Sequence, residues 1–502
     1  MSPALAVRAL ACAMLLLPAS SLADDQPQWG ERHTRNMVSR ERGLPDAVDP
    51  ATGRNVKWSV ELGTQTYSTP VVARGCVFIG TNNARPRDER HRGDRGVLLC
   101  LDERDGKLRW QLASPKRSED PYLDWTETGL VSPVVVEGDR VYLVTNRDEV
   151  ACLDLQGMAN GNQGPYLDES AHMALRGGPA EAVDPTDADI LWLFDIPTGA
   201  GVHTHDAAHG NPLLVGRFLY VNTSNGVDST HLKAPAPDAP SLIVLDRETG
   251  RLVAADGERI GPRIIHCTWS SPALATVGGR DLVIFCGGVG VVYAFEPLRD
   301  APAVGSVARL KRVWRFDCDP TAPKENVHRW QDNFTEGPST VSGMPVVHGT
   351  RVYVVAGGDP WHGKRWSWLK CVDATKTGEI TNTGELWSYR IDAYCDSTVA
   401  VLDGLVYAAD WSGTVHCVDA VTGKAVWTHK LSGEIWGSPL AADGKVYVGT
   451  RRGELCVFAA GRQKRVISTT RLDGAISGTP VAANGVLYVA TANRLWAFAQ
   501  SR

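Results

Sequence analysis

The chain has 502 residues, 43% hydrophobic and 22% charged, with a formal net charge of -5. This balance supplies enough apolar side chains for a large core, and it lacks the basic excess of a nucleic-acid binder. No nucleic-acid partner is expected, and 50 glycines fit many tight turns between short strands.

In chain order, residues 1–23 read as a secretory signal peptide. Arg8 is the only charge, an apolar run follows from Ala9 to Pro18, and Ser21-Leu22-Ala23 places cleavage near Ala23. The run is too short to span a membrane, and no later stretch reaches spanning length. The expectation is a periplasmic or secreted protein with no transmembrane segment after signal removal. Ala9-Leu10-Ala11 before Cys12 makes a poor lipobox, so no lipid anchor is expected. Residues 24–54 read as a polar arm.

From residue 55 to 502 one unit recurs. Each copy opens with a small residue and usually a proline, as in Ser68-Thr69-Pro70, Ser132-Pro133, Ser271-Pro272 and Ser438-Pro439. An apolar strand follows, then a turn and a strand alternating by two, such as Lys445-Val446-Tyr447-Val448. The third strand ends in Leu/Val-Asp, at Asp102, Asp154, Asp246, Asp373 and Asp419. The fourth carries a tryptophan, at Trp110, Trp192, Trp314, Trp387 and Trp427. Ala254 and Ile467 stand there in the third and seventh copies. The eighth copy stops after its third strand, whereas Asn55-Val56-Lys57-Trp58-Ser59-Val60 looks like a fourth strand with no unit before it. Pairing the two closes a ring and removes its free edges. The predicted fold is all-β: an eight-bladed β-propeller of four-stranded antiparallel blades, closed by the N-terminal strand. Helix is nearly absent; Ala171 to Arg176 suits one short turn.

Ten cysteines follow the signal segment. Cys100, Cys152, Cys371, Cys417 and Cys456 share one slot of the repeat, where the reading is a small buried side chain. Cys76, Cys267, Cys286, Cys318 and Cys395 stay open as disulfide partners.

Two segments, Asp102 to Trp110 and Asp419 to Trp427, read Asp-x-x-x-Gly-x-x-x-Trp and resemble the PQQ-type repeat. The resemblance covers nearly the whole chain after the signal segment. It implies either of two known types. Quinoprotein alcohol dehydrogenases hold pyrroloquinoline quinone (PQQ) with calcium, and typically carry an adjacent cysteine pair that this chain lacks. Assembly factors of the BamB type serve as scaffolds for envelope proteins.

Long loops mark where a site belongs. Arg85 to Arg95, Gly226 to Pro240 and Gly357 to Trp366 join second to third strands, and Asp317 to Ser342 joins the fourth unit to the fifth. All should lie on one face. The insertion Gln156 to Asp189 should lie on the opposite face. Residues preceding each first strand should line the channel mouth: Tyr67, Leu130, His209, Trp269, Ser342, Asp396, Trp436 and Ser477. There His203, His205, His209 and His266 suit zinc, copper or iron through neutral imidazole, or else line a solvated polar channel. Trp269 and Trp436 suit stacking on a flat ring or packing of blade seams. Asp396 and Asp410 are the candidate catalytic carboxylates for a quinone dehydrogenase, with Asn225 and Asn83 as amide ligands to cofactor or calcium. Glu127, Asp206 and Glu434 are further acids expected at the mouth, and Asp359-Pro360-Trp361-His362-Gly363 reads as a structured turn. The leading expectation is an exported propeller that binds a small molecule or an envelope protein on its insertion-rich face.

Overall fold

The computed structural model describes residues 24–207 and 210–501; residues 1–23, read from sequence as a signal peptide, and His209 lie outside them. The strands form eight sheets, each with a four-stranded antiparallel core. Blade 1 is typical: Val71–Ala73, Cys76–Asn82, Arg95–Asp102 and Leu108–Pro115 run from the channel outward. The last blade takes Val481–Ala483, Val486–Ala490 and Arg494–Phe498 from the C-terminus. Its outer strand is Val56–Glu61 from the N-terminus, with Ser59 opposite Trp496. The ring is therefore closed as its sequence predicts. The apolar core is divided into eight clusters, each between neighbouring blades; one joins Phe78 and Trp110 of blade 1 to Leu143 and Leu153 of blade 2.

The repeat signature is a docking device between blades. The Asp carboxylate accepts backbone N–H groups of the following turn, as Asp419 does from Val421 and Thr422. The Gly sits under the tryptophan of the preceding blade. A Cβ on Gly106 would lie 2.9 Å from Trp58, one on Gly250 2.5 Å from Trp192, and one on Gly423 2.6 Å from Trp387. All three glycines also have φ near +70°. The indole N–H then donates to a carbonyl of the next blade: Trp58 to Glu103, Trp110 to Leu155, Trp192 to Arg247, Trp387 to Ala420 and Trp427 to Gly461, all at 2.9–3.0 Å. Cys100, Cys152, Cys371 and Cys417 stand opposite such tryptophans in the ladders. All ten described cysteines are free and buried, including the five left open as disulfide partners.

One segment differs from its sequence reading. The insertion Gln156 to Asp189 is not confined to the opposite face. It climbs the outer edge of blade 1, where Asp187 bridges to Gln111, and reaches the loop Arg85 to Arg95, where His91 bonds Glu181 (2.5 Å) and Asp187 (3.0 Å). An unpaired edge strand exposes backbone groups, and this strap covers them. Similar short parallel additions, Ala308–Arg309 and Gly378–Glu379, cover the outer strands of blades 3 and 4. The insertion's helical turn is Glu169–His172.

The polar arm, residues 24–54, packs on the blades. It crosses the channel and touches every blade. Gln26 pairs with Val72, Pro27 accepts from Val136, and His33 and Thr34 accept from Leu274 and Val347. Asn36 bonds Val401 through both ends of its amide, Val38 pairs with Ala441, and Ser39 reaches Ala482. Arg35 is fully buried at the centre, donating to the carbonyls of Trp29, Asn211, Pro212 and Pro272. The arm is the floor of the channel.

Candidate functional site

Above that floor lies a cavity of about 680 Å³, lined at its base by Trp29 and higher up by residues from successive blades. Connections between a fourth strand and the next first strand turn inward here and bring side chains to the cavity. Tyr67, Trp269, Ser342, Asp396, Trp436 and Ser477 line it as expected. Leu130 does not, being buried in the core between blades 1 and 2.

One side of the mouth is aromatic. Trp411 and Trp436 stack with centroids 4.7 Å apart, Tyr67 stacks on Trp436 at 6.1 Å, and the Arg451 guanidinium lies 4.1 Å from the Trp436 ring centre. Trp361 meets Trp269 and Trp411 edge-on at 5.4 and 5.8 Å. At the rim Trp125 and Trp361 stay 49% and 52% exposed.

The other side is a cluster of imidazoles. His205 lies 4.8 Å from His231 and 4.8 Å from His266, and His362 lies 4.7 Å from His231 and 4.9 Å from His266, centroid to centroid. His205 comes from the connection between blades 2 and 3, and His266 from the next connection. His231 and His362 come from the long loops of blades 3 and 5. Gly226 permits this convergence: a Cβ there would lie 2.6 Å from the Cβ of His205 and 2.7 Å from the carbonyl oxygen of His266. His205 Nδ1 faces the Val227 carbonyl at 2.9 Å, while its buried Nε2 has no hydrogen-bond partner. His266 Nδ1 bonds Asp359 at 3.0 Å, and its Nε2 lies 3.4 Å from Asp206. Asp359 in turn accepts the backbone N–H groups of Trp361 and His362, so Asp359-Pro360-Trp361-His362-Gly363 is indeed a turn, and one that presents two side chains to the cavity.

The charges follow from burial and pairing. Burial, then the His266 charge, lowers His205 to about 4. Burial also lowers His362 to about 4 and lowers His231. Burial opposes protonation of His266, but the Asp359 and Asp206 carboxylates outweigh it and raise its pKa. Asp396, pushed by burial and then by the Asp359 charge, rises to about 7.

The remaining expected residues lie elsewhere. His203 offers its backbone N–H to Asn225, and its ring does not join the cluster. Asn225 spends its amide on that bond and on the Ala236 carbonyl, and Asn83 spends its own on His91 and Gly93. Both hold loops in shape. Asp410 is bonded to His416 and Ser412 and caps the turn before Thr414. His231, His362, Tyr122 and Trp411 were not singled out from the sequence. The first two lie in insertions that the sequence did assign to this face.

A family profile described as "Outer membrane protein assembly factor BamB" matches residues 41–158 and 367–465. The dehydrogenase subunit of a quinone alcohol dehydrogenase from Gluconobacter oxydans is 28% identical over 31% of this chain and 19% of its own. A quinohemoprotein alcohol dehydrogenase from Comamonas testosteroni is 31% identical over 31% of this chain and 22% of its own. The chain thus spans less than a third of the length of these curated relatives. The crystal structure of the Comamonas testosteroni enzyme superposes with a TM-score of 0.61 at 13% identity, covering 95% of this chain and 81% of that one, a likeness of fold. With its blade-docking tryptophans and its ring of eight sheets, the chain is an eight-bladed β-propeller whose repeats are similar to those of PQQ-type propeller proteins.

Proposed function

We propose that this is an exported binding protein that takes a small molecule with a flat, uncharged ring into the cup at the channel mouth. The observation that carries the reading is the aromatic wall, with Trp125 and Trp361 exposed at the rim of a cavity that ends blind on Trp29. Exposed indole faces beside a concave polar site favour ring stacking. Among the described lining residues Asp206 and Asp396 are the acids, while Arg451 stands at the aromatic side, over the Trp436 ring and bonded to Ser477. A narrow cup suits a small ligand better than the broad face of an envelope protein.

The quinoprotein resemblance implies PQQ and calcium, and the residues present do not fit them. Calcium takes six to eight oxygen ligands, but the donors gathered here are mainly imidazole nitrogens. The Asn225 and Asn83 amides are committed to loop backbone.

Tryptophan fluorescence tests the reading, with cellobiose, a neutral benzoquinone, and PQQ plus calcium as probes. The expected result is saturable quenching by an uncharged ring that is lost in Trp361→Ala. Quenching by PQQ plus calcium alone would replace this reading with that of a dehydrogenase, and no quenching by either uncharged probe would remove it. Export predicts a protein from the native host beginning at Asp24; retention of residues 1–23 would contradict it.

A further inference from the structure

We propose that His205, His231 and His266 hold a divalent transition-metal ion of the zinc or copper class, with His362 beside them as a fourth imidazole. One nitrogen from each of the three lies within 4.8 Å of the others, on separate connections that the fold brings to one point. Small side-chain rotations close such a set to metal–nitrogen distances of about 2.1 Å. A second, independent observation supports it: His205 is 1% exposed, and its Nε2 is buried without any hydrogen-bond partner. A buried, unpaired polar atom carries a desolvation cost that a bound ion removes.

The outer contacts have the form a metal site requires. A ligating histidine donates its second N–H to a carbonyl or carboxylate, which fixes the tautomer and aims the other nitrogen. His205 Nδ1 faces the Val227 carbonyl and His266 Nδ1 faces Asp359, which leaves Nε2 of each ring for the ion, that of His266 with the Asp206 carboxylate 3.4 Å away. Imidazole donors select zinc, copper, iron or nickel over calcium and magnesium. The cluster opens on the cup, so a bound ligand or water can complete the coordination sphere. The site is independent of ring stacking, because it lies on the imidazole side and its test uses the metal alone.

The experiment uses tag-free, chelator-stripped full-length mature protein titrated with cobalt(II), read by calorimetry and visible absorption, then challenged with zinc and with calcium. One cobalt per chain is expected, with intense low-coordinate bands that zinc abolishes and calcium leaves. His205→Ala should weaken binding at least 100-fold, and Asp359→Asn, a positioning change, about 10-fold to 100-fold. His203→Ala should leave binding unchanged. His231→Ala, on a half-buried loop, provides the same test if His205→Ala does not fold. Lack of stoichiometric binding, displacement by calcium, or unchanged affinity in folded His205→Ala or His231→Ala would overturn the proposal.

Discussion

The two ends of the central channel are built by opposite rules. At the floor, the arm spends its polar groups on blade backbone. Arg35 alone donates to four main-chain carbonyls from three separate stretches of chain, and Asn36 satisfies both ends of its amide on Val401. At the mouth, donors and rings are left unspent: His205 Nε2 has no partner, and Trp361 stands half in solvent. A fold invests in stability where its polar groups are satisfied, and reserves binding capacity where they are not.

Substitutions should separate the two ends. The largest effect belongs to the floor. Arg35→Ala strands several buried carbonyls and should cost about 3 kcal/mol in a denaturant titration, with the mouth's ligands still bound by whatever remains folded. If Arg35→Ala is neutral, the arm is not the structural half. Next comes Gly226→Ala, where the added Cβ meets His205 and the carbonyl of His266. It should cost about 2 kcal/mol and also disturb the imidazole cluster, since this position belongs to both scaffold and site.

Asp396 gives a smaller effect with a sign. Its pKa in the fold is raised to about 7, so between the unfolded value and 7 the folded chain binds more protons than the unfolded one. Stability from this group is therefore present at low pH and lost as pH rises through 7. Asp396→Asn should be more stable than the parent at pH 8 by roughly 1 to 2 kcal/mol, and the difference should vanish near pH 4. An equal gain at both pH values would show that Asp396 is not held as an acid. The smallest effect on stability should come from the rim. Trp361→Ala, at 52% exposure, should shift unfolding by less than about 0.5 kcal/mol while removing ring binding.

The sequence made the scaffold legible because the scaffold repeats. Asp, Gly and Trp recur at fixed spacing since each performs the same contact at successive blade seams, and Trp58 could be recognised as a fourth strand awaiting its partners. The mouth was legible only by position. Tyr67, Trp269 and Trp436 were found because they precede first strands. His231 and His362 were missed because a loop's path is set by one-off contacts, such as the turn capped by Asp359, that leave no period. The contacts of the arm were not legible for a similar reason. The partners of its polar residues are the innermost strands, whose position at the axis emerges only when the ring is assembled.

Ring closure also sets a schedule. The strand Val56–Glu61 has no partner until Arg494–Phe498 exists, and Val38 and Ser39 wait for Ala441 and Ala482. A polypeptide made from its N-terminus onward must therefore keep its first segment unpaired until its last has been made. Pairings of this sequence separation form late and slowly. Loss of the final strand should leave the whole barrel of blades unlatched rather than one blade short. Completion of the chain becomes the checkpoint for maturation, and the unlatched intermediate is the form most exposed to proteases and chaperones.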